Sequence, residues 1–176
     1  MKSLVDLIAQ DAIRITVLSI VRDLNLPDCY VAAGFLRNLV WDDLHGIQTE
    51  LTDIDVVFFD ESDVDSELSQ SITQQLNLTY PSFQWDVKNQ AHMHFKNGDE
   101  PYTSTLDAMS YWPEKETAIG AMLNDDESIS VVTAFDLEEL FKGNITYNPK
   151  RSKDTFYNRV KSKHWLETWP HLKVKI

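Results

Sequence analysis

The sequence predicts an α/β (α+β) fold, in which a small mixed β-sheet is flanked by helices and a basic helix lies near the C-terminus. The first observation is that segments with helical periodicity alternate with short apolar segments along the chain. The second is that the sequence contains no internal repeat and no low-complexity linker. The third is a length of 176 residues with 43% hydrophobic and 25% charged residues, which is ordinary for a globular protein. Together they predict a single domain over residues 1–176.

The first half of the chain alternates regularly between helices and strands. Ser3 and Asp6 have the spacing of a capping box at the start of the first helix. Pro27 cannot continue that helix, and Gly46 is a typical residue at the end of the second. The predicted elements are a helix at 4–24, a strand at 29–34, a helix at 35–46, a strand at 53–60, a polar-faced helix at 64–77 and a strand at 82–90.

The second half has shorter elements separated by clear breakers. Pro113 stops one short helix, Gly143 follows another, and the acidic turn "NDDE" at 124–127 separates two apolar segments. The predicted elements are a short helix at 103–112, strands at 117–123 and 128–134, a short helix at 136–143 and a closing helix at 152–169.

The net charge of −12 is distributed unevenly. Residues 148–176 contain eight basic and two acidic residues, so this segment carries +6 and the first 147 residues carry −18. An acidic body argues against general nucleic-acid binding, which needs a basic face. The basic segment leaves two interpretations open: a local nucleic-acid contact, or a solvated helix that neutralises the acidic body.

No run of 18 apolar residues predicts a membrane span, and the N-terminus lacks the pattern of a signal peptide. The one cysteine, Cys29, cannot form an internal disulfide and is expected to pack as a small hydrophobe. These features predict a cytoplasmic protein with no membrane partner.

Three acidic residues and one glycine stand out as candidate site residues. Asp53 and Asp55 are two apart in a strand, so their side chains share a face. Asp86 lies in the middle of the next predicted strand. Carboxylate oxygens are the ligands that Mg²⁺ prefers, and a third carboxylate would complete a two-metal site. Gly34, between a strand and a helix, would let an anion approach the helix N-terminus.

These residues carry a resemblance to a known superfamily. The blocks "AAGFLRN", "TDIDVVFFD" and "WDVKNQ" resemble the nucleotidyltransferase superfamily that includes DNA polymerase beta. The longer blocks "PYTSTLDAMSYWPEKETAIG" and "FDLEELFKGNITYNP" are similar to a family of small bacterial nucleotidyltransferase-like proteins. The resemblance runs from about residue 30 to 150 and implies a nucleotidyltransferase-like fold.

The resemblance also implies an activity. A nucleotidyl group would pass from a nucleoside triphosphate (NTP) to an unknown acceptor, with Mg²⁺ or Mn²⁺ as cofactor in a two-metal mechanism. Asp53, Asp55 and Asp86 would be the catalytic and metal-binding residues, and the turn at Gly34 and Phe35 would receive the phosphates. The alternative is an inactive nucleotide- or partner-binding module on the same fold, which the Gly-Phe turn favours because the superfamily usually has Gly-Gly or Gly-Ser there.

Competing interpretations remain for several of these residues. Asp53 could cap a strand end, and Asp55 could pair with Arg37 or Lys88. Arg37 either contacts the triphosphate or forms an ion pair with Asp53 or Asp55. Lys88 either contacts a phosphate or balances the charge of a neighbouring carboxylate.

His92 and His94 have the spacing of two ligands on one strand face. A zinc site needs further ligands, and the sequence places no cysteine pair or third histidine nearby. A structural, hydrogen-bonding role is therefore favoured for both.

Overall fold

One mixed sheet of five strands organises the molecule. The computed structural model describes residues 2–176 and contains β1 (Tyr30–Ala32), β2 (Asp53–Phe58), β3 (Gln84–Asn89), β4 (Ile119–Leu123) and β5 (Ile129–Thr133). Their spatial order is β3-β2-β1-β4-β5. β2 and β3 are parallel, and the other neighbours are antiparallel. The mixed sheet predicted from the sequence is confirmed.

Nine α-helices accompany this sheet within residues 2–176, four from the first half of the chain and five from the second. They are α1 (Leu4–Ala9), α2 (Ala12–Arg22), α3 (Gly34–His45), α4 (Glu67–Thr79), α5 (Met93–Asn97), α6 (Thr105–Met109), α7 (Glu138–Phe141), α8 (Lys153–Ser162) and α9 (Trp165–Thr168). A turn of 3-10 helix spans Lys115–Thr117. Across residues 2–176, no helix is both long enough and apolar enough to cross a lipid bilayer.

The N-terminal helix predicted at 4–24 is wrong as a single element. The capping box is present, since Ser3 and Asp6 bond reciprocally, but α1 ends at Ala9. Asp11 then caps α2 by accepting a hydrogen bond from the N–H of Arg14. A short acidic side chain can bond the free N–H groups at the start of a helix, so Asp11 favours the start of a new helix over continuation of α1. The apolar periodicity continues across the break, so it did not reveal this cap.

The C-terminal helix predicted at 152–169 is also divided. Ser152 caps α8, and His164, at φ 54°, separates α8 from α9. Two strands that the sequence did not predict, β6 (Asn144–Thr146) and β7 (Lys173–Lys175), pair in parallel on either side of this helical segment. Strands of three residues carry too little periodicity to be recognised.

The two faces of the central sheet differ in cover. α1 to α4 pack on one face, which buries Ile54, Val56 and Phe58 of β2 completely. The alternate residues of β2 lie on the other face, where Asp53 is exposed and Asp55 is half-buried. This alternation follows from the two-residue period of a strand. The second face is therefore the one that carries the candidate acidic residues.

Candidate active site

The parallel pairing of β2 and β3 brings the candidate carboxylates together. Asp55 lies directly opposite Asp86, and Asp53 lies opposite Gln84. Neighbouring strands are about 4.8 Å apart, and in-register side chains point to the same face. Asp55 and Asp86 are therefore adjacent on the open face, with Asp53 beside them along β2.

The two carboxylates of β2 lack protein partners. Within residues 2–176, neither Asp53 nor Asp55 forms a side-chain hydrogen bond or an ion pair. The alternative in which Asp55 pairs with Arg37 or Lys88 is thus not the arrangement seen. Burial raises the pKa of Asp55, and the negative charge of Asp86 raises it further. A cation at this position would relieve both effects.

Asp86 has a partner on its own strand. The Lys88 Nζ atom lies 2.5 Å from the Asp86 Oδ2 atom, and both side chains are half-exposed. Lys88 thus has the charge-balancing contact that the sequence left open. An exposed pair of this kind contributes little stability, so an incoming ligand displaces it at low cost.

The donor set fits a hard divalent cation, because three carboxylates supply only oxygen ligands. The described part of the chain nevertheless contains no group of three or more His, Cys, Asp or Glu side chains gathered closely enough to hold an ion. Asp53 lies at the exposed start of β2, and Asp86 is paired with Lys88. Both share a face with Asp55, but the three carboxylates do not form a complete coordination site.

The start of α3 lies next to this acidic face. Ala33, the residue before the helix, has φ 59° and ψ −125°, a backbone conformation that costs energy for a residue with a side chain. It follows β1 directly, and its N–H donates to the Ile119 carbonyl of the neighbouring strand region. Ala33 and Gly34 line the smaller cavity of the groove described below, so the first turn of α3, whose leading N–H groups have no partner within a helix, borders that groove.

Gly34 and Phe35 contribute to the turn through their backbones. A Cβ atom at Gly34 would lie 3.4 Å from the Arg37 Nη2 atom and 3.4 Å from the Asn38 Nδ2 atom, which is close to ordinary van der Waals contact with the ends of two side chains. The Phe35 side chain is buried in the core. A phosphate at this turn would therefore contact backbone N–H groups, and no side-chain hydroxyl is available from either residue.

Arg37 is buried in an aromatic clamp. Its guanidinium carbon lies 4.7 Å from the ring centroid of Trp41 and 4.3 Å from that of Trp165. The Nη1 atom donates to the Thr117 hydroxyl at 2.7 Å. Burial lowers the pKa of Arg37 to about 10; Glu114 opposes this shift. The ion pair between Arg37 and Asp53 or Asp55 that the sequence left open is not formed in residues 2–176.

Two cavities meet at the acidic face and together form the groove. One, of about 330 Å³, includes the start of α3 and Trp165. The other, of about 710 Å³, includes Asp86, Lys88 and Trp112. Five residues line both cavities: Ala33, Asp55, Thr117, Arg159 and Lys163.

Arg159 and Lys163 are groove residues that the sequence analysis did not identify. They come from α8 and the residue that follows it, about 100 residues after the acidic pair. The basic excess of residues 148–176 was the one signal that pointed to this segment. It gave no information on which of the eight basic residues face the groove.

The two histidines do not form a strand face. Residues 93–97 form α5, so the expectation of a strand-like spacing for His92 and His94 is wrong. His94 is buried with its Nδ1 atom bonded to the Ala91 carbonyl, and His92 Nε2 bonds the Glu61 carbonyl. Both contacts are with backbone carbonyls, as expected for a structural role. Cys29 is partly buried against the core, which raises the pKa of its thiol to about 12.

The chain is similar to known proteins in sequence and in fold. The family model described as nucleotidyltransferase matches residues 19–174. No curated protein matches the chain in sequence. A solved structure described as revealing a CCA-adding enzyme head domain is 32% identical, with a TM-score of 0.87 over 98% of this chain and 94% of that chain.

More distant structures share the fold. A CCA-adding enzyme in complex with CTP is 14% identical, with a TM-score of 0.64 over 99% of this chain and 44% of that chain. The Thermotoga maritima CCA-adding enzyme in complex with tRNA is also 14% identical, with a TM-score of 0.63 over 99% of this chain and 43% of that chain. This chain thus spans less than half the length of those two enzymes.

The match to the family model covers most of the chain. The structure that is 32% identical to this chain aligns with it over nearly the whole of both chains. The chain belongs to the nucleotidyltransferase family.

Proposed function

We propose that the protein transfers a nucleotidyl group from an NTP to an acceptor, with Mg²⁺ or Mn²⁺ bound by Asp53, Asp55 and Asp86. The observation that carries this proposal is the register of β2 and β3, which places Asp55 opposite Asp86. Two carboxylates without protein partners next to a third, beside the start of a helix, suit a metal-bound triphosphate. The family relationship supports the same reaction.

The chain's own residues would orient the reactants. The backbone N–H groups at Gly34 and Phe35 would bind phosphate oxygens, and Asp86 would lie on the acceptor side of the groove. When bound, the metal ions would supply positive charge at the phosphorus atom and lower the pKa of the acceptor hydroxyl. The acceptor hydroxyl would release its proton to water and its oxygen would form a bond to the α-phosphorus, while the bond from that phosphorus to the bridging oxygen would break and pyrophosphate would leave.

Lys88 would exchange its partner during this cycle. In the protein alone it neutralises Asp86. Once Asp86 binds a cation, Lys88 would be free to contact a phosphate on the ligand or the acceptor, as its position in the larger cavity allows. Under this proposal, the two interpretations that the sequence left open for Lys88 would be successive states of one side chain.

The test is incubation with each of the four α-labelled NTPs, Mg²⁺ or Mn²⁺, and a pool of acceptors. The pool should include a cell extract and tRNA, because a solved structure of the same fold is a complex with tRNA. We expect a labelled product with the wild type and none with Asp55→Asn. A wild type that yields no labelled product with any NTP and acceptor would contradict the proposal.

One feature favours a second candidate, an inactive nucleotide-binding module. Phe35 follows Gly34 and is buried, so the turn offers no hydroxyl to a phosphate. NTP binding measured by calorimetry, together with no transfer to any acceptor, is the outcome expected for such a module.

A further inference from the structure

Arg159 is held in the groove by a fully buried carboxylate. Its Nε atom lies 2.6 Å from the Glu114 Oε1 atom, and its Nη2 atom lies 3.3 Å from the Glu114 Oε2 atom. The Glu114 side chain is 0% exposed, whereas the Arg159 side chain is 36% exposed. The Nε and Nη2 atoms of the guanidinium are therefore fixed by the buried carboxylate, while the partly exposed side chain lines the groove.

The free end of Arg159 has no protein partner. Its Nη1 atom forms no hydrogen bond with any residue from 2 to 176. The side chain lines both cavities, together with Asp55 and Thr117. A planar guanidinium fixed by one carboxylate in this manner keeps a donor pre-oriented for a second anion.

Two more cations share this part of the groove without a carboxylate partner. Lys163 lines both cavities and forms no ion pair within the described residues. Arg37 lines the smaller cavity, where burial lowers its pKa; the charge of Glu114 opposes this shift, and the charge of Arg159 adds to it. Like charges this close repel each other, and an anion bound between them would remove the repulsion.

We infer that Arg159, positioned by Glu114, joins Lys163 and Arg37 in a site for the pyrophosphate portion of the NTP. This inference rests on the proposed function, because it assigns the phosphates of the same substrate. The site lies across the groove from Asp53 and Asp55, so the acidic half would hold the metal ions and the basic half the phosphates that they bridge. It also gives a specific role to the basic C-terminal segment.

The test measures binding of phosphates without a base. Calorimetry with inorganic tripolyphosphate and Mg²⁺ is run on the wild type and on three variants: Lys163→Met, Arg159→Lys and the double variant Glu114→Gln/Arg159→Met. The double variant removes both charges, because Arg159→Met alone would leave Glu114 buried and unpaired. Lys161→Met is the matched control, since Lys161 lies on the same helix and outside both cavities.

We expect tripolyphosphate affinity to fall about tenfold or more in the double variant, as for loss of a charge-assisted hydrogen bond. Lys163→Met and Arg159→Lys should lose less, and Lys161→Met should match the wild type. Binding of a nucleoside monophosphate should stay within about twofold in every variant, whereas a general distortion of the groove would weaken both ligands.

The possible failures can be told apart. Unchanged tripolyphosphate affinity in the double variant, or none in the wild type, would overturn the inference even if the wild type transfers nucleotides. Loss of affinity for a 5′-phosphorylated RNA oligonucleotide with no loss for tripolyphosphate would also overturn it, because the site would then serve the acceptor. A wild type that binds tripolyphosphate through Arg159 but transfers nothing would support the inference and contradict the proposed enzyme.

Discussion

The acidic edge of the sheet and the basic C-terminal segment both line one groove, but they are built differently. The carboxylates come from neighbouring strands and are set by strand register. The cations come from α8 and its end and are positioned by contacts distant in sequence, such as the bond from Arg159 to Glu114. The acidic half has two unpaired charges, whereas the basic half has one cation fixed by a buried acid. Like charges repel in both halves until a ligand binds, but only the basic half holds one of its charges in place beforehand, through the bond from Arg159 to Glu114.

The largest expected effect comes from the centre of the acidic half. Asp55→Asn keeps the size of the side chain and removes the charge that would bind metal. We expect nucleotidyl transfer to fall by about a thousandfold, the effect of several kcal/mol of lost stabilisation of charge in the transition state. The measurement is the rate of labelled product formation at saturating NTP and Mg²⁺. Activity within tenfold of the wild type would mean that the acidic half is not the metal site.

The next effect separates binding from catalysis within the acidic half. Asp86→Asn should leave most of the affinity for Mg²⁺ and NTP, because Asp53 and Asp55 remain. Transfer should fall by about a hundredfold, as when a group that activates the attacking hydroxyl is lost. Calorimetry and product formation are measured on the same preparation. Unchanged transfer would assign the third carboxylate to another residue.

Arg37 tests the basic half. Arg37→Met replaces a buried cation by a side chain of similar length, so the cost of burying the charge is removed together with its bonds to Thr117 and Asn38. We expect the free energy of unfolding to change by less than about 2 kcal/mol and NTP affinity to fall about tenfold. Denaturant unfolding and calorimetry check the two quantities. A large loss of stability with unchanged affinity would make Arg37 purely structural.

The smallest expected effect concerns pH and metal. Burial and Asp86 raise the pKa of Asp55 above its usual 3.8. Between that value and the raised pKa, the folded protein binds more protons than the unfolded chain, so the free energy of unfolding falls as pH rises. At pH 7 without metal, Asp55→Asn should melt higher than the wild type, on the order of 2–4 °C for about 1 kcal/mol.

Metal should reverse that order. Mg²⁺ should raise the Tm of the wild type, because a ligand that binds only the folded state stabilises it, and should leave Asp55→Asn unchanged. Thermal unfolding at pH 5 and pH 7, with and without Mg²⁺, measures both effects. A wild type that melts above the variant in the absence of metal would show that the acidic half is not under electrostatic strain.

The contrast between the two halves also explains what the sequence predicts. Asp53 and Asp55 alternate with Ile54 and Val56, so the face that these two carboxylates share follows from local pattern. The position of Asp86 opposite Asp55 depends on the register of two strands, which local pattern does not encode. The breaks at Asp11 and His164 depend on a single cap or a single positive φ, which periodicity does not record.

The contacts that position the cations of the basic half could not be predicted from the sequence, for a different reason. The bond from Arg159 to Glu114 joins residues 45 apart, and the contact of Arg37 with Thr117 joins residues 80 apart. Such contacts depend on the complete fold and leave no spacing signal. The composition indicated a basic segment but not which cations face the groove.

The central claim is that the two halves bind one metal–nucleotide complex. The most direct measurement is an NMR titration of the wild type with Mg²⁺ and a non-hydrolysable NTP analogue. The two signals to follow are the backbone amide of Asp55 and the side-chain Nε–H of Arg159. In the wild type, we predict that both signals shift along one binding curve with the same Kd. In Asp55→Asn at limiting Mg²⁺, we predict that neither the backbone amide of residue 55 nor the Nε–H of Arg159 shifts when the analogue is added. Shifts at Asp55 alone, or two curves with different Kd values, would contradict a shared site.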